Sequence, residues 1–278
     1  MSAWAPMFKL RQLAKRIPPL YWLVGVVRHS NHQRKLRAET KAYAATHGEL
    51  VPPPALRFRV HGAMQEDVYV EAGRVIAREI DAAWRRHGTL PPDDVLDFGC
   101  GPGRIAVQFK TLFPDCRLSG TDIDPESISW ANAHLSNVGA FETNSPDPPL
   151  PYSEGSFDFV YTVSVFTHLE EDGQFRWLEE LARVLRPGGI LVATVHGALA
   201  RGSCTSKESR DLEAKGFVYR VDRKGSLKLD GLPDTYQTTF HSRAYVERHW
   251  QAGFELLEYV EGGIAGHQDL VILSRSIT

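Results

Sequence analysis

The sequence predicts an α/β fold, a mostly parallel sheet with helices on both faces, preceded by a helical N-terminal extension. Two observations carry this. From Val95 onward, short apolar runs alternate with segments of helical periodicity, the pattern of a sheet built from β-α units. The first of those runs ends in a glycine-rich turn, Gly99-Cys100-Gly101-Pro102-Gly103, placed where a strand hands over to a helix.

The elements follow in order. Before the alternation, Phe8 to Ile17 reads as a short basic amphipathic helix stopped by Pro18-Pro19, and His29 to Thr46 as a second, polar helix. Val51-Pro52-Pro53-Pro54 reads as a stiff extended linker. Met64 to His87 has helical apolar spacing at Val68, Ala72, Val75, Ile76, Ile80 and Ala83, and Gly88 closes it. Val95–Phe98 is the first strand, and its helix is expected to begin near Pro102, since proline suits a first turn. Arg117–Thr121 is the second strand, followed by a helix from Pro125 to about Leu135. Ala140–Thr143 is the third strand and Phe157–Val163 the fourth. Asp172–Leu185 is helical, with Phe175, Leu178, Leu181, Ala182 and Leu185 on one face. Ile190–Val195 is the fifth strand, entered through Pro187-Gly188-Gly189. Residues 200–240 break the rhythm and read as an insertion or lid. Ser242 then caps a helix to Gln251, and Phe254–Val260 and Asp269–Ser274 are two final strands.

Composition narrows the function class. Apolar residues make up 42% and charged residues 24% of the 278, which excludes fibrous and wholly disordered classes. Cys100, Cys116 and Cys204 show no paired or ligand-like spacing, so neither a structural zinc site nor a disulfide scaffold is expected, and a reducing cytoplasm suits them. The apolar run Leu20–Val27 is shorter than the ~18 residues a membrane span requires. The net charge of −2 hides an asymmetry: residues 1–62 hold eleven Lys/Arg against two Glu, a net +9. The expected organisation is therefore a basic extension over 1–62 and one catalytic domain over 63–278. The extension either docks on its own acidic body or contacts an anionic membrane surface peripherally, and the acidic body makes nucleic acid an unfavourable partner.

The glycine loop supplies the chemistry. Three closely spaced glycines let backbone approach a ligand, and the helix that follows presents unpaired N–H groups to an anion, either a pyrophosphate or an amino-acid carboxylate. Three neighbours discriminate. Arg104 stands where the dinucleotide fingerprint requires glycine. Asp97 ends the first strand, where a carboxylate suits an ammonium and repels a pyrophosphate. Asp122 ends the second strand, where it can accept both ribose hydroxyls.

With these residues the chain resembles the class I S-adenosylmethionine-dependent methyltransferase family. Val95–Arg104 is similar to its first motif, Leu118–Asp124 to its second, Phe157–Tyr161 to its fourth-strand motif and Arg183–Gly189 to the turn before the fifth strand. The resemblance implies a Rossmann-like three-layer sandwich with seven strands, the last antiparallel between the fifth and sixth. It implies S-adenosyl-L-methionine as cosubstrate, with Asp97, Gly99, Gly101 and Gly103 at its methionine part and Asp122 at the ribose. Ile123 would pack on the adenine, Asn144 or Ser145 would meet the adenine edge, and Thr162 and Val163 would line the fourth-strand side. Many family members carry aspartate where this chain has Asn144.

Methyl transfer from a sulfonium needs alignment, and a hydroxyl or amine acceptor also needs a base. His168, after the fourth strand, and His196, at the end of the fifth, are the candidates; His267 and His241 are less favoured. No metal ligand set stands out. The Ser164–Leu169 segment and the terminal His267-Gln268-Asp269 resemble the bacterial type-11/12 group, which implies O-methylation of a sugar, lipid-linked glycan or small metabolite. A macromolecular acceptor and a catalytically silent S-adenosylmethionine-binding module are the alternatives.

Overall fold

The structure is a computed structural model and describes residues 51–61, 65–88, 91–222 and 234–277. The chain divides into two units, Met1–Glu66 and Asp67–Thr278. The two helices expected within residues 1–50 lie outside the described residues. In the first unit, α1 spans Pro54–His61. This corrects the expected linker: Pro54 opens a helix, because a first-turn proline forfeits only an N–H that has no intrahelical partner.

In the second unit, α2 (Glu66–His87) buries Tyr69, Gly73, Ile76, Ala77, Ile80, Ala83 and Trp84, a stripe at three- and four-residue spacing. The elements that follow are β1 (Asp94–Phe98), α3 (Arg104–Leu112), β2 (Arg117–Asp122), α4 (Pro125–His134), β3 (Ala140–Thr143), β4 (Phe157–Thr162), α5 (Glu171–Val184) and β5 (Leu185–Val195). A 3-10 turn (Leu199–Ser203), α6 (Ser206–Lys215), β6 (Phe217–Arg220) and β7 (Thr238–His241) occupy the expected insertion. The chain ends in α7 (Arg243–His249), β8 (Phe254–Ile264) and β9 (Gln268–Arg275).

Among the described residues one sheet has seven strands in the order β3-β2-β1-β4-β5-β9-β8, and β6 and β7 form a separate pair. The first five strands are parallel, and β9 lies antiparallel between β5 and β8. Parallel central strands are covered on both faces and are therefore apolar throughout: β5 is buried continuously from Ile190 to Val195. One face packs on α2, α3 and α4 through Ile80, Trp84, Phe109 and Ala131. The other packs on α5 and α7 through Leu178, Leu181, Val246 and Trp250. The strand order reverses at β1/β4, so the crevice at the carboxyl ends of β1, β2 and β4 is where an open α/β sheet takes its ligand.

Several boundaries differ from expectation; β5 begins at Leu185, so Pro187-Gly188-Gly189 lies within it and is not a turn before it. α3 begins at Arg104, not near Pro102, because Gly103 at the N-cap adopts φ +78° and leaves Pro102 in the turn. β8 runs through Glu261-Gly262-Gly263 to Ile264, so the reversal falls at residues 265–267.

Candidate active site

β1 delivers Asp97 into the core, 1% exposed, where Tyr161 Oη donates to its Oδ2 at 3.0 Å. The pairing is a consequence of parallel register, which sets Asp97 opposite Tyr161. Burial pushes the Asp97 carboxyl up to about 8; the Asp122 charge adds to this, while the Tyr161 hydrogen bond and Arg104 oppose it. The same burial raises Tyr161 well above the ordinary phenol range. At that value the carboxyl is mostly protonated at neutral pH, and an added cation would favour its ionised form.

The loop after β1 turns on glycines. Gly99, Gly101 and Gly103 have φ of +81°, +53° and +78°. A Cβ on Gly99 would also stand 2.2 Å from Val165 Cγ2, so this position excludes a side chain twice over. Gly99 and Cys100 donate their N–H groups to Thr121 O, and Gly101 donates to Asp122 Oδ2 at 2.7 Å. Asp124 N donates to Asp122 Oδ1 at 2.8 Å. Burial raises the Asp122 carboxyl, and those backbone donors partly offset the rise. An ionised carboxylate has about four acceptor positions, and the backbone N–H groups of Gly101, Ile123 and Asp124 address three of them at Asp122.

Along the same crevice, Asn144 is 8% exposed and its Nδ2 donates to Ser145 O at 2.7 Å. Among the described residues its Oδ1 is buried with no partner, as is the Thr162 hydroxyl. Ile123 is half-buried, Val163 is buried, and Ser145 is exposed with its Oγ accepting from Asp147 N at 3.3 Å.

The two leading histidines come together, with ring centroids 6.2 Å apart. Both rings donate from Nδ1 to backbone carbonyls of the stretch that forms β7: His168 to Gln237 O, and His196 to Thr239 O at 3.1 Å. A carbonyl only accepts, so each neutral ring is held as the Nδ1–H tautomer with its basic lone pair on Nε2. Tyr236 stacks on His168 at 4.3 Å. Burial lowers the His196 pKa against the lift of its Thr239 hydrogen bond, with His267 and Arg220 lowering it further.

The rings of the other two histidines are bonded elsewhere. His241 is fully buried and donates from Nε2 to Gln174 Oε1 at 2.9 Å. His267 is exposed on the β8–β9 turn, its Nδ1 bonded to Ala265 O at 3.2 Å.

Sequence reading missed Tyr161, Thr194, Gln268 and Asp269. Ser164 follows β4 at φ +61°; its N–H donates to Thr194 Oγ1 at 2.8 Å, its carbonyl accepts from Tyr236 Oη at 2.9 Å, and its Oγ accepts from Gln268 Nε2 at 2.8 Å. Asp269 is 1% exposed and accepts from Tyr259 Oη at 2.7 Å and Gly262 N at 2.9 Å. These partners come from strands far apart in the chain, and only sheet pairing brings them together.

Comparison with known proteins agrees with this geometry. Residues 95–189 match the family model described as a methyltransferase domain. The chain is 35% identical over 103 residues to a malonyl-[acyl-carrier protein] O-methyltransferase of Hahella chejuensis, covering 37% of this chain and 36% of that protein. It is 28% identical over 187 residues to the methyltransferase GfsG of Streptomyces halstedii, covering 62% and 65%. It is 32% identical over 131 residues to the O-methyltransferase rstn1 of Aspergillus nomiae, covering 46% and 56%. The chain thus spans about one third to two thirds of the length of these relatives. Human N-acetylserotonin methyltransferase, solved in complex with S-adenosylmethionine, has the same fold at TM-score 0.53 and 21% identity, covering 81% of this chain and 56% of that one. Residues 95–189 thus carry a methyltransferase domain, and the strand order β3-β2-β1-β4-β5-β9-β8 with its motif positions is similar to that of class I S-adenosylmethionine-dependent methyltransferases.

Proposed function

We propose that the chain transfers a methyl group from S-adenosyl-L-methionine to a hydroxyl of a small molecule, glycan or lipid-linked acceptor. The observation that carries the reading is the pair of acids at the ends of β1 and β2, joined through the glycine loop. Asp97 is raised by burial more than Arg104 and Tyr161 lower it, and the methionine ammonium would favour its ionised form. A dinucleotide pyrophosphate would add a second negative charge beside Asp122. Asp122 would hold the ribose hydroxyls. Asn144 Oδ1, a buried acceptor without a donor among the described residues, suits the exocyclic amine of adenine. Ile123, Ser145, Thr162 and Val163 would line the remaining wall. The cosubstrate supplies an activated methyl on a good leaving group, so the protein's task is alignment plus removal of the acceptor proton. His196, at the carboxyl end of β5, would take that proton on Nε2, with its Nδ1–H anchored on Thr239 O. His168 would orient the acceptor beside it.

The test has two arms. Calorimetry with S-adenosylmethionine and with NAD should show binding of the first alone; the opposite result sinks the reading. With labelled methyl donor and an acceptor screen, His196→Ala should lower kcat by roughly 10²- to 10⁴-fold, the usual worth of a general base. Full activity in both His168→Ala and His196→Ala would remove the base assignment. The relatives named as O-methyltransferases favour transfer to oxygen. Residues 1–62, at net +9, would hold the chain peripherally on an anionic lipid surface. Among the described residues no helix is long and apolar enough to cross a membrane.

A further inference from the structure

A buried polar assembly behind the two histidines has no part in the chemistry above. Gln174, in the first turns of α5, is 1% exposed. Its Nε2 donates to Phe166 O and to Leu169 O, each at 3.1 Å. Two carbonyl acceptors can be served only by the amide NH₂, so the amide orientation is set and Oε1 must face the other way. There it accepts from His241 Nε2–H at 2.9 Å. Gln174 therefore grips both ends of the 166–169 loop, which carries His168, and holds β7 through His241.

Residues 237–241 in turn work as a ruler. Gln237 N donates to His168 O at 3.0 Å, Thr239 N to Thr167 O at 2.7 Å and His241 N to His196 O at 2.9 Å. Thr239 Oγ1 donates to Leu169 O at 2.8 Å. The carbonyls of residues 237 and 239 accept the two imidazole Nδ1–H groups. In an extended chain, carbonyls two residues apart lie on one edge, separated by about 6.5 Å, and the ring centroids are 6.2 Å apart.

We propose that Gln174 and His241 are positioning residues for the proposed base: by locking β7 to α5 and to the 166–169 loop, they set the tautomer and aim of His196. The inference rests on the base assignment to His196. Its tautomer readout requires no acceptor, so the two can fail separately. His241 acts as a neutral donor, not as a second base. It is surrounded by the rings of Phe217, Tyr245 and Trp250, and its only bonded ring nitrogen among the described residues carries the proton given to Gln174.

The experiment compares His241→Phe, His241→Gln and Gln174→Met in the full chain. Long-range ¹H–¹⁵N correlation of histidine rings should show His196 as a single Nδ1–H tautomer in the parent protein and as a tautomer mixture in His241→Phe and Gln174→Met. His241→Gln, which keeps an N–H donor, should restore the single tautomer. In the methyl-transfer assay kcat should fall on the order of 10²-fold in the first two, the scale of a slightly misplaced catalytic group, with the Kd for S-adenosylmethionine unchanged. The double variant His241→Phe/Gln174→Met should lose no more than the worse single one, since both break one linkage. An unchanged His196 tautomer in His241→Phe and Gln174→Met overturns the proposal. So does a kcat loss matched by an equal loss of cosubstrate affinity, which would mark general destabilisation. If His241→Phe does not fold, Gln174→Met against His241→Gln decides it alone.

Discussion

Asp97 shows how one residue trades stability for function. Its carboxyl stands at about 8 in the fold against 3.8 unfolded. The folded state therefore binds more protons across that window, and this residue's contribution to stability declines as pH rises from about 4 to about 8. Asp97→Asn should remove that decline. Differential denaturation above pH 8 should find the unliganded variant more stable than the parent, by up to several kcal/mol on the scale of about 1.4 kcal/mol per pKa unit. The same substitution should abolish binding of S-adenosylmethionine in calorimetry, because an amide offers the ammonium no charge. His196 carries the complementary prediction. A base must be neutral, and burial lowers this imidazole's pKa, so the acid limb of the kcat profile should lie below the ordinary value of about 6.5. A limb above that value would mean that another group titrates. Asp97, Asp122 and the glycines were legible in the sequence because a strand-turn-helix handover leaves a local trace. Tyr161, Thr194 and Gln268 were not, because their roles arise from register between strands that are distant in the chain.

The element with the least tolerance is the end of β5. Gly197 follows His196, and a Cβ there would meet Asp269 Oδ2 at 1.6 Å and Tyr259 Oη at 2.9 Å. Neither neighbour can yield easily, since Asp269 is held by Tyr259 Oη and Gly262 N. Gly197→Ala should cost about 3 kcal/mol, the upper range for overpacking, and should displace His196 with it. Thermal denaturation reads the first effect and kcat the second; an unchanged melting temperature would refute the close approach. The core sheet and its helices were predictable from apolar runs and 3.6-residue periodicity. α1, β6 and β7 were not: α1 has little apolar contrast between its faces, and β6 and β7 are four-residue strands within a polar, glycine-containing stretch. Strands that short acquire their definition from the partner they pair with.

Across the whole molecule, two buried groups pull the pH dependence of stability in opposite directions. His241 stands at about 3 against 6.5 unfolded, because burial disfavours its cation. The unfolded chain binds that proton more readily, so stability is lost as pH falls from 6.5 toward 3. Asp97 weakens the fold as pH rises toward 8. The unliganded protein should therefore be most stable in mildly acidic solution. S-adenosylmethionine, by pairing with the Asp97 carboxylate, should move that optimum to higher pH. Melting temperatures between pH 4 and 9, with and without ligand, check this; an optimum that does not move would separate Asp97 from the ligand. The β7 strand has one more consequence. The side chains of 239 and 241 bond to residues around the histidine-bearing loops, while Thr238 bonds Asp222 and Phe240 packs on Arg220, Val218 and the His196 ring itself. The ring of Phe240 and the backbone carbonyl of Thr239 thus bear on a single imidazole. A library randomised at 240 should therefore disturb the aim of His196 and lower activity toward every acceptor alike, as should one randomised at 239 and 241.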